Sequence, residues 1–519
     1  LNASITINNL LNTPTWQLTG RLEKFDARKY SKTFNYSHIT GIFSGNGNAK
    51  VANLSMRLAP NKTTPKSYLT LHINGKISSQ ASFKGMLAWH NLILSNIYPH
   101  NLTSPQGQLT LAGNLKNYKL SSNIQLSGYQ FPSSTLYAQA IGNLNGLKFH
   151  KIIINTLNGS ITGQATLNWQ AKLHYRLALR AQHLNPQQTW TDWYGDVSFD
   201  NRIEGSASAF KFTINKLAGH LRRQRLSGAA QLQIEHRTTT ADVKLIMGAA
   251  KINANIQWQR YLHATWNINI PNLSDTVPFS NGTLVTAGDL MTTNSLPNIS
   301  ATLSAKGLAW LNEKIDTLNA NVKLDPSTAA NSTVAITASQ LQLLKHKFTN
   351  IQLNATGNAL RHRIILQATM AKETLQLQAT GRYMNKRWNL MVPRFTLTKP
   401  NTTSWALRSP FTVAIGKHDL QLSNFNWHAG TQSMQASFRW QDKTLQQIQI
   451  SLHQVALPIF NLFLPDKIKL QGELNLQANY SNKSPTTAGK LMARLTNVKV
   501  YYPLQNQEHT LSISTGVLK

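Results

Sequence analysis

Between Ile161 and Trp169 every odd position is apolar or Gly (Ile161, Gly163, Ala165, Leu167, Trp169), and every even position is polar. After a break at 170–172 the alternation resumes, with Leu173, Tyr175, Leu177, Leu179 and Ala181 set against His174, Arg176, Arg180 and Gln182. A period of two marks a strand with one wet and one dry face. Two such runs in succession predict a hairpin or two neighbouring strands of a longer sheet. The rest of the chain repeats the device: Leu69–Ile73, Gly107–Leu115, Phe212–Ile214, Leu217–Leu221, the run Ile252, Ala254, Ile256 and Trp258, Leu318–Leu324, Leu375, Leu377 and Ala379, Leu420–Trp427 and Leu445–Leu452. Strands recur every ~10–13 residues without a fixed motif length, which predicts about 40 of them. Convincing helices are nearly absent, so the predicted class is all-β.

Three stretches depart from the pattern. Gly41–Ala49 resembles a phosphate loop only superficially, lacking the third Gly and a following helix, and is predicted to be a turn. Thr189–Asp200 is predicted to be a short helix or loop. Pro271–Leu296, rich in Pro, Gly, Ser, Thr and Asn, predicts an irregular connection over 271–298, a soft boundary between strand-rich parts at 1–270 and 299–519 of one continuous structure.

A one-sided amphipathic sheet must hide its dry face. With no helices to cover it, two arrangements stay open on pattern alone. One is a set of β-sandwiches. The other is a long sheet curled so that its dry faces line a trough.

Charge and composition narrow the function. The 519 residues carry 52 Lys and Arg against 19 Asp and Glu, a net charge of +33, which favours anionic partners such as lipid headgroups. The basic residues are scattered along the strands, with one small cluster at Arg222, Arg223 and Arg225 and no nucleic-acid motif, so no nucleic-acid partner is expected. Cysteine is absent, which excludes disulfides and thiolate metal sites. The longest apolar run, Val455–Leu464, carries Pro458 and Asn461 and falls short of the ~20 residues a membrane helix needs. A start at Leu1 rather than Met leads to the expectation that the chain is a piece of a longer protein.

No catalytic constellation emerges. Gly-x-Ser-x-Gly and Walker loops are missing, and the closest two of the 16 histidines, His174 and His183, are nine residues apart. Neither an enzyme, a cofactor nor a metal site is expected. Trp169, Trp258, Trp266, Trp388, Trp427 and Trp440 fall at or near strand ends, where ordinary packing, edge protection and lipid anchoring are all open roles.

The stretch from Ser160 to Pro186 resembles the repeating unit of the TamB family, among the AsmA-like proteins of the bridge-like lipid transfer superfamily. Phe212–Gly228 has the same look. A longer match runs from Trp405-Ala-Leu407 through Leu420-x-Leu422, Trp427 and Phe438-Arg-Trp440 to Leu462–Pro465 and Leu470-Gln-Gly472. The family often carries a cysteine beside the Trp; this chain has Asn426 there, so no disulfide is expected. The resemblance implies an elongated, curled, mainly antiparallel sheet forming a long hydrophobic groove. It implies a periplasmic protein of the translocation and assembly module of Gram-negative bacteria. Its expected partners are phospholipid acyl chains, the outer-membrane barrel TamA, and the inner membrane through an anchor outside this chain. Two roles follow as expectations: phospholipid transport between the membranes, or scaffolding of outer-membrane protein and autotransporter assembly. On this reading the groove candidates are Ile161, Ala165, Leu167, Trp169, Leu173, Tyr175, Leu177, Leu179, Ile252, Ile256, Leu375 and Leu377.

Overall fold

A computed structural model describes residues 2–26, 39–59, 67–77, 81–95, 102–293, 297–325, 327, 330–343, 346–370, 372–462, 464, 468–483, 486–504 and 507–518. Residues 294–296 of the expected connection, and Phe463 and Pro465 of the resemblance motif, lie outside these. The described residues contain 34 strands, with 80% of the structure in strands and 3% in helix. The chain divides into two units, Leu1–Arg260 and Tyr261–Lys519.

In the first unit, Asn2–Asn8 pairs with Thr15–Phe25, and consecutive antiparallel pairing continues to Ala250–Trp258. At ~4.8 Å per strand, its 17 strands make a strip about 80 Å long. The second unit repeats the plan from Leu262–Ile270 to Gln507–Leu518. One path there is shared by two short strands, Trp405–Leu407 and Phe411–Gly416, both held between Arg387–Thr398 and Asp419–Ala429.

The uncovered arrangement prevails over the sandwich. Two compact units of half this mass would expose roughly 11,000 Å² each, about 23,000 Å² together. The chain exposes 32,865 Å². That excess fits a sheet standing mostly without a second layer.

Bulges set the bend. Along His174–Leu184 the apolar positions step by two to Ala181, then by three to Leu184, with His183 in the left-handed region at φ 55°. The same step of three separates Leu22 from Phe25, Ile214 from Leu217, Leu422 from Phe425 and Leu452 from Val455, each with a register shift. The extra residue in these four is Lys24, Lys216, Asn424 and Gln454, all at positive φ. A bulge bends its strand and raises local twist, and here it also returns the apolar side chains to the dry face. Within each unit these positive-φ bulges lie on strands that run in the same direction, so they fall toward one row of hairpin turns, where each bends its strand. Side chains beside that row are buried, as at Ala181, Leu184, Leu226, Met247 and Ala250. The opposite row stays open.

Bulges also explain the strand count. Phe212–Ile214 and Leu217–Leu221 read as separate strands but are halves of one bulged strand, Ala209–Leu221. Three local expectations are corrected. Gly41–Ala49 is not a turn: most of it lies in the strand Ile39–Asn48, whose glycines face bulky neighbours such as Trp16. The Thr189–Asp200 stretch follows a 3-10 turn at Pro186–Gln188, capped by the Asn185 side-chain Oδ1 accepting from the Gln187 backbone N–H, and enters the strand Gly195–Ser206. The 271–298 stretch holds a short helix, Leu273–Thr276, and a full strand, Ser280–Met291.

A left-handed conformation costs a non-Gly residue roughly 1–2 kcal/mol, and a β-branched one more. Asn424→Ile is therefore expected to lower the stability of the second unit by about 1–2 kcal/mol, and Asn424→Gly to be neutral or mildly stabilising. Urea unfolding of the pair checks this; equal midpoints would remove the bulge from the account.

Candidate functional site: a continuous dry face

Cross-strand pairing places the apolar positions in files across the sheet. In the first unit one file runs Ala165, Leu177, Ile203, Phe212, Leu232, Ala241, Ile256. Upstream, Phe43, Met56, Leu71, Leu87 and Leu109 continue the same face. Directly opposed side chains on one face approach to ~4.5–5.5 Å, so the file from Ala165 to Ile256 is an unbroken apolar track. Most of its members are half-buried: each is packed sideways by its neighbours and open above. The adjacent file is interrupted by polar residues: Ser122, opposite Leu109, is buried, and Asn201, between Leu179 and Ile214, has its Oδ1 buried without a partner.

The wet face carries the opposite chemistry at the same positions. Arg176 Nε donates to Glu204 Oε2 at 3.2 Å and Arg180 Nε to Asp200 Oδ1 at 2.8 Å. The hydrogen bond from Arg180 holds the Asp200 carboxyl below its usual range. These are exposed pairs, worth little in stability. They fix which face stays in water.

The candidates divide by position. Ile161, Ala165, Leu167, Tyr175, Leu177 and Leu179 are dry-face strand residues, with Ile161 opposite Ala181 and Leu167 opposite Tyr175. Ile252 opposes Leu245, and Ile256 opposes Ala241. Trp169 and Leu173 lie outside the strands, in the turn between Gly159–Asn168 and His174–Leu184, and are exposed; Trp169 Nε1 donates to the Leu144 carbonyl at 2.8 Å. Trp258, Trp388 and Trp440 are exposed near the same open row in their units. Trp266 instead donates to Thr286 Oγ1, and Trp427 is buried.

Leu375 and Leu377 sit where the second unit's dry face closes. The file Leu303, Ala320, Ile336, Leu353, Leu366, Leu377, Phe395 runs into a core of Leu397, Trp405, Trp427, Ala429, Met434, Val455 and Ile459. Leu375 packs against that core, and Leu377 against an adjoining one built on Ala379, Val392 and Phe411. Trp427 stacks on Phe395 at 4.9 Å between ring centroids and donates its indole N–H to the Phe395 carbonyl. The cover is a 3-10 turn, Leu457–Leu462, cut from the apolar run whose length was too short for a membrane. Asn461 pins it by exchanging two hydrogen bonds with the Leu470 backbone. Pattern reading missed this core because periodicity shows which side chains face the dry side and not what lies over them. The Pro458 break inside an apolar run was the available signal.

Among the described residues no group of His, Asp and Glu could hold a metal ion, and no helix is long and apolar enough to cross a membrane. The family model for the TamB N-terminal domain matches residues 39–519. The chain belongs to the TamB family. No solved structure matches it. Membership makes it a TamB-type envelope protein, of a family whose members are bridge-like and have a TamA-type partner in general. The creased, uncovered sheet is how this TamB-family chain presents its apolar residues.

Proposed function

We propose that the dry face binds phospholipid acyl chains and guides them along the sheet between the inner and outer membranes. The chain would stand in the periplasm, tethered by an inner-membrane anchor outside it. The observation that carries this reading is the unbroken apolar file from Ala165 to Ile256 in the first unit, most of whose members are only half-buried. Each buried CH₂ is worth about 0.8 kcal/mol, so one 16-carbon chain resists entering water by roughly 13 kcal/mol. A continuous apolar track removes most of that barrier without any catalytic group. Headgroups stay in water at the open row of turns, where Lys50, Lys116 and Lys172 sit.

A photoreactive residue at Leu177 is expected to capture phospholipid in cells, and one at Arg176, its wet-face neighbour, is not. Equal capture at both positions would sink the proposal. Protein adducts at Leu177 that survive delipidation would favour the scaffolding role beside TamA instead.

A further inference from the structure

The wet face of the second unit holds a feature that lipid passage on the dry face does not use. Seven of this unit's eight arginines fall between Arg361 and Arg439; the eighth is Arg494. Four of them, Arg361, Arg363, Arg382 and Arg387, line one hollow of about 900 Å³, within the ~300–1,000 Å³ typical of ligand sites.

The register explains the grouping. Arg363 opposes Thr380, and Arg382 is two residues further along that strand. Arg382 opposes Asn389, and Arg387 is two residues back along the next strand. The three arginines therefore step diagonally across three adjacent strands, at the ~7–8 Å diagonal spacing from which long side chains can meet. Small polar residues, Thr412 and Ser423, pave the floor beyond them.

Charge in the hollow is unbalanced. No carboxylate lines it, and the nearest, Asp419, takes one arm of Arg387 at 2.8 Å. Gln421 Oε1 accepts from the same nitrogen at 3.3 Å, while Arg387 Nε is buried without a partner. A closed core of Ala379, Val392 and Phe411, with Ile364 packed against it, lies behind the same strands and holds the backbone that carries these arginines.

We propose that this hollow is a binding site for a phosphate group. Guanidinium forks match phosphate oxygens in bidentate fashion, which scattered lysines do not. Phe, Tyr and Trp are missing from the lining, and its one aromatic ring, His362, is engaged by Trp388, which packs edge-on to it and donates its indole N–H to His362 Nε2, so guanidinium groups dominate the hollow. The phosphate arrives either as the headgroup of an anionic lipid or as a free anion. The site is independent of the dry-face proposal and can stand or fall without it.

The test uses the whole chain and two probes: inorganic phosphate by calorimetry, and phosphatidylglycerol-containing vesicles by co-sedimentation, with pure phosphatidylcholine vesicles as reference. Saturable binding of either probe that drops at least about tenfold in Arg363→Gln/Arg382→Gln, and is only partly restored by Lys at both positions, supports the site. Binding of inorganic phosphate identifies a free-anion site, and binding confined to the anionic vesicles a headgroup site. Binding to neither probe overturns the proposal. So does a Gln pair that binds like the parent, or a Lys pair that restores binding in full, since either would reduce the effect to diffuse positive charge. Arg57→Gln, on the first unit, controls for net charge.

Discussion

Replacing Val455 with Asp is expected to unfold the second unit. Val455 is 0% exposed, at the centre of the core formed by Leu397, Trp405, Trp427 and Met434 under the Leu457–Leu462 turn. An unpaired carboxylate there loses its hydration and gains no partner, and it also removes packed methyl groups; together these cost on the order of 4 kcal/mol or more. Marginal stability of ~5–15 kcal/mol leaves little after that loss. The readout is the thermal transition of the second unit, which should fall sharply or vanish while the first unit still melts cooperatively. Val455→Ala should sit between, at about 2–3 kcal/mol. A Val455→Asp protein that melts like the parent would mean that the turn does not cover this face.

The second large effect separates stability from transport. Leu177→Asp lies on the open file of the first unit, where its carboxylate can remain hydrated, so the expected loss of stability is only about 1 kcal/mol. The acyl track, however, would then be crossed by a charge. Transfer of a fluorescent phospholipid between donor and acceptor vesicles is expected to fall at least about tenfold, since every 1.4 kcal/mol of lost contact is worth that factor. Thr166→Asp, on the wet face beside it, should leave transfer unchanged. Collapse of the melting transition in Leu177→Asp would show a closed core instead of an open lining. Unchanged transfer would remove the file from the lipid path. Set beside Val455→Asp, the pair distinguishes an uncovered dry face from a covered one within a single chain.

The two kinds of apolar surface have different consequences for passage. In the first unit the apolar file runs unbroken from Ala165 to Ile256, with most of its members half-buried. In the second it leads to the aromatic core, where the chain's own turn occupies the dry face. Leu177 and Leu377 look alike in the sequence, each alternating with polar residues. The difference between them is the core of Ala379, Val392 and Phe411 that packs against Leu377, which has no counterpart at Leu177 among the described residues.

Much was legible from alternation. The all-β class, antiparallel neighbours and the wet or dry assignment of Leu177 against Arg176 follow from a period of two, because strand geometry sends successive side chains to opposite faces whatever the tertiary context. The bulges were present too, as steps of three between Ala181 and Leu184 or Leu422 and Phe425, but a broken alternation reads first as a strand end. Family likeness favoured a trough over a sandwich; the large exposed area fits a sheet that stands mostly as a single layer, closed in the second unit by the aromatic core.

Tertiary structure decided what no local pattern encodes. The crease arises because bulges on same-direction strands fall beside one row of turns, an alignment that only the register reveals. The closed core required a turn to fold back over residues distant in sequence. The arginine hollow required Arg363, Arg382 and Arg387 to meet diagonally across three strands. Alternation fixes the face of a side chain, a property of its own strand, whereas burial and charge clustering depend on which strands stand beside it and what lies above.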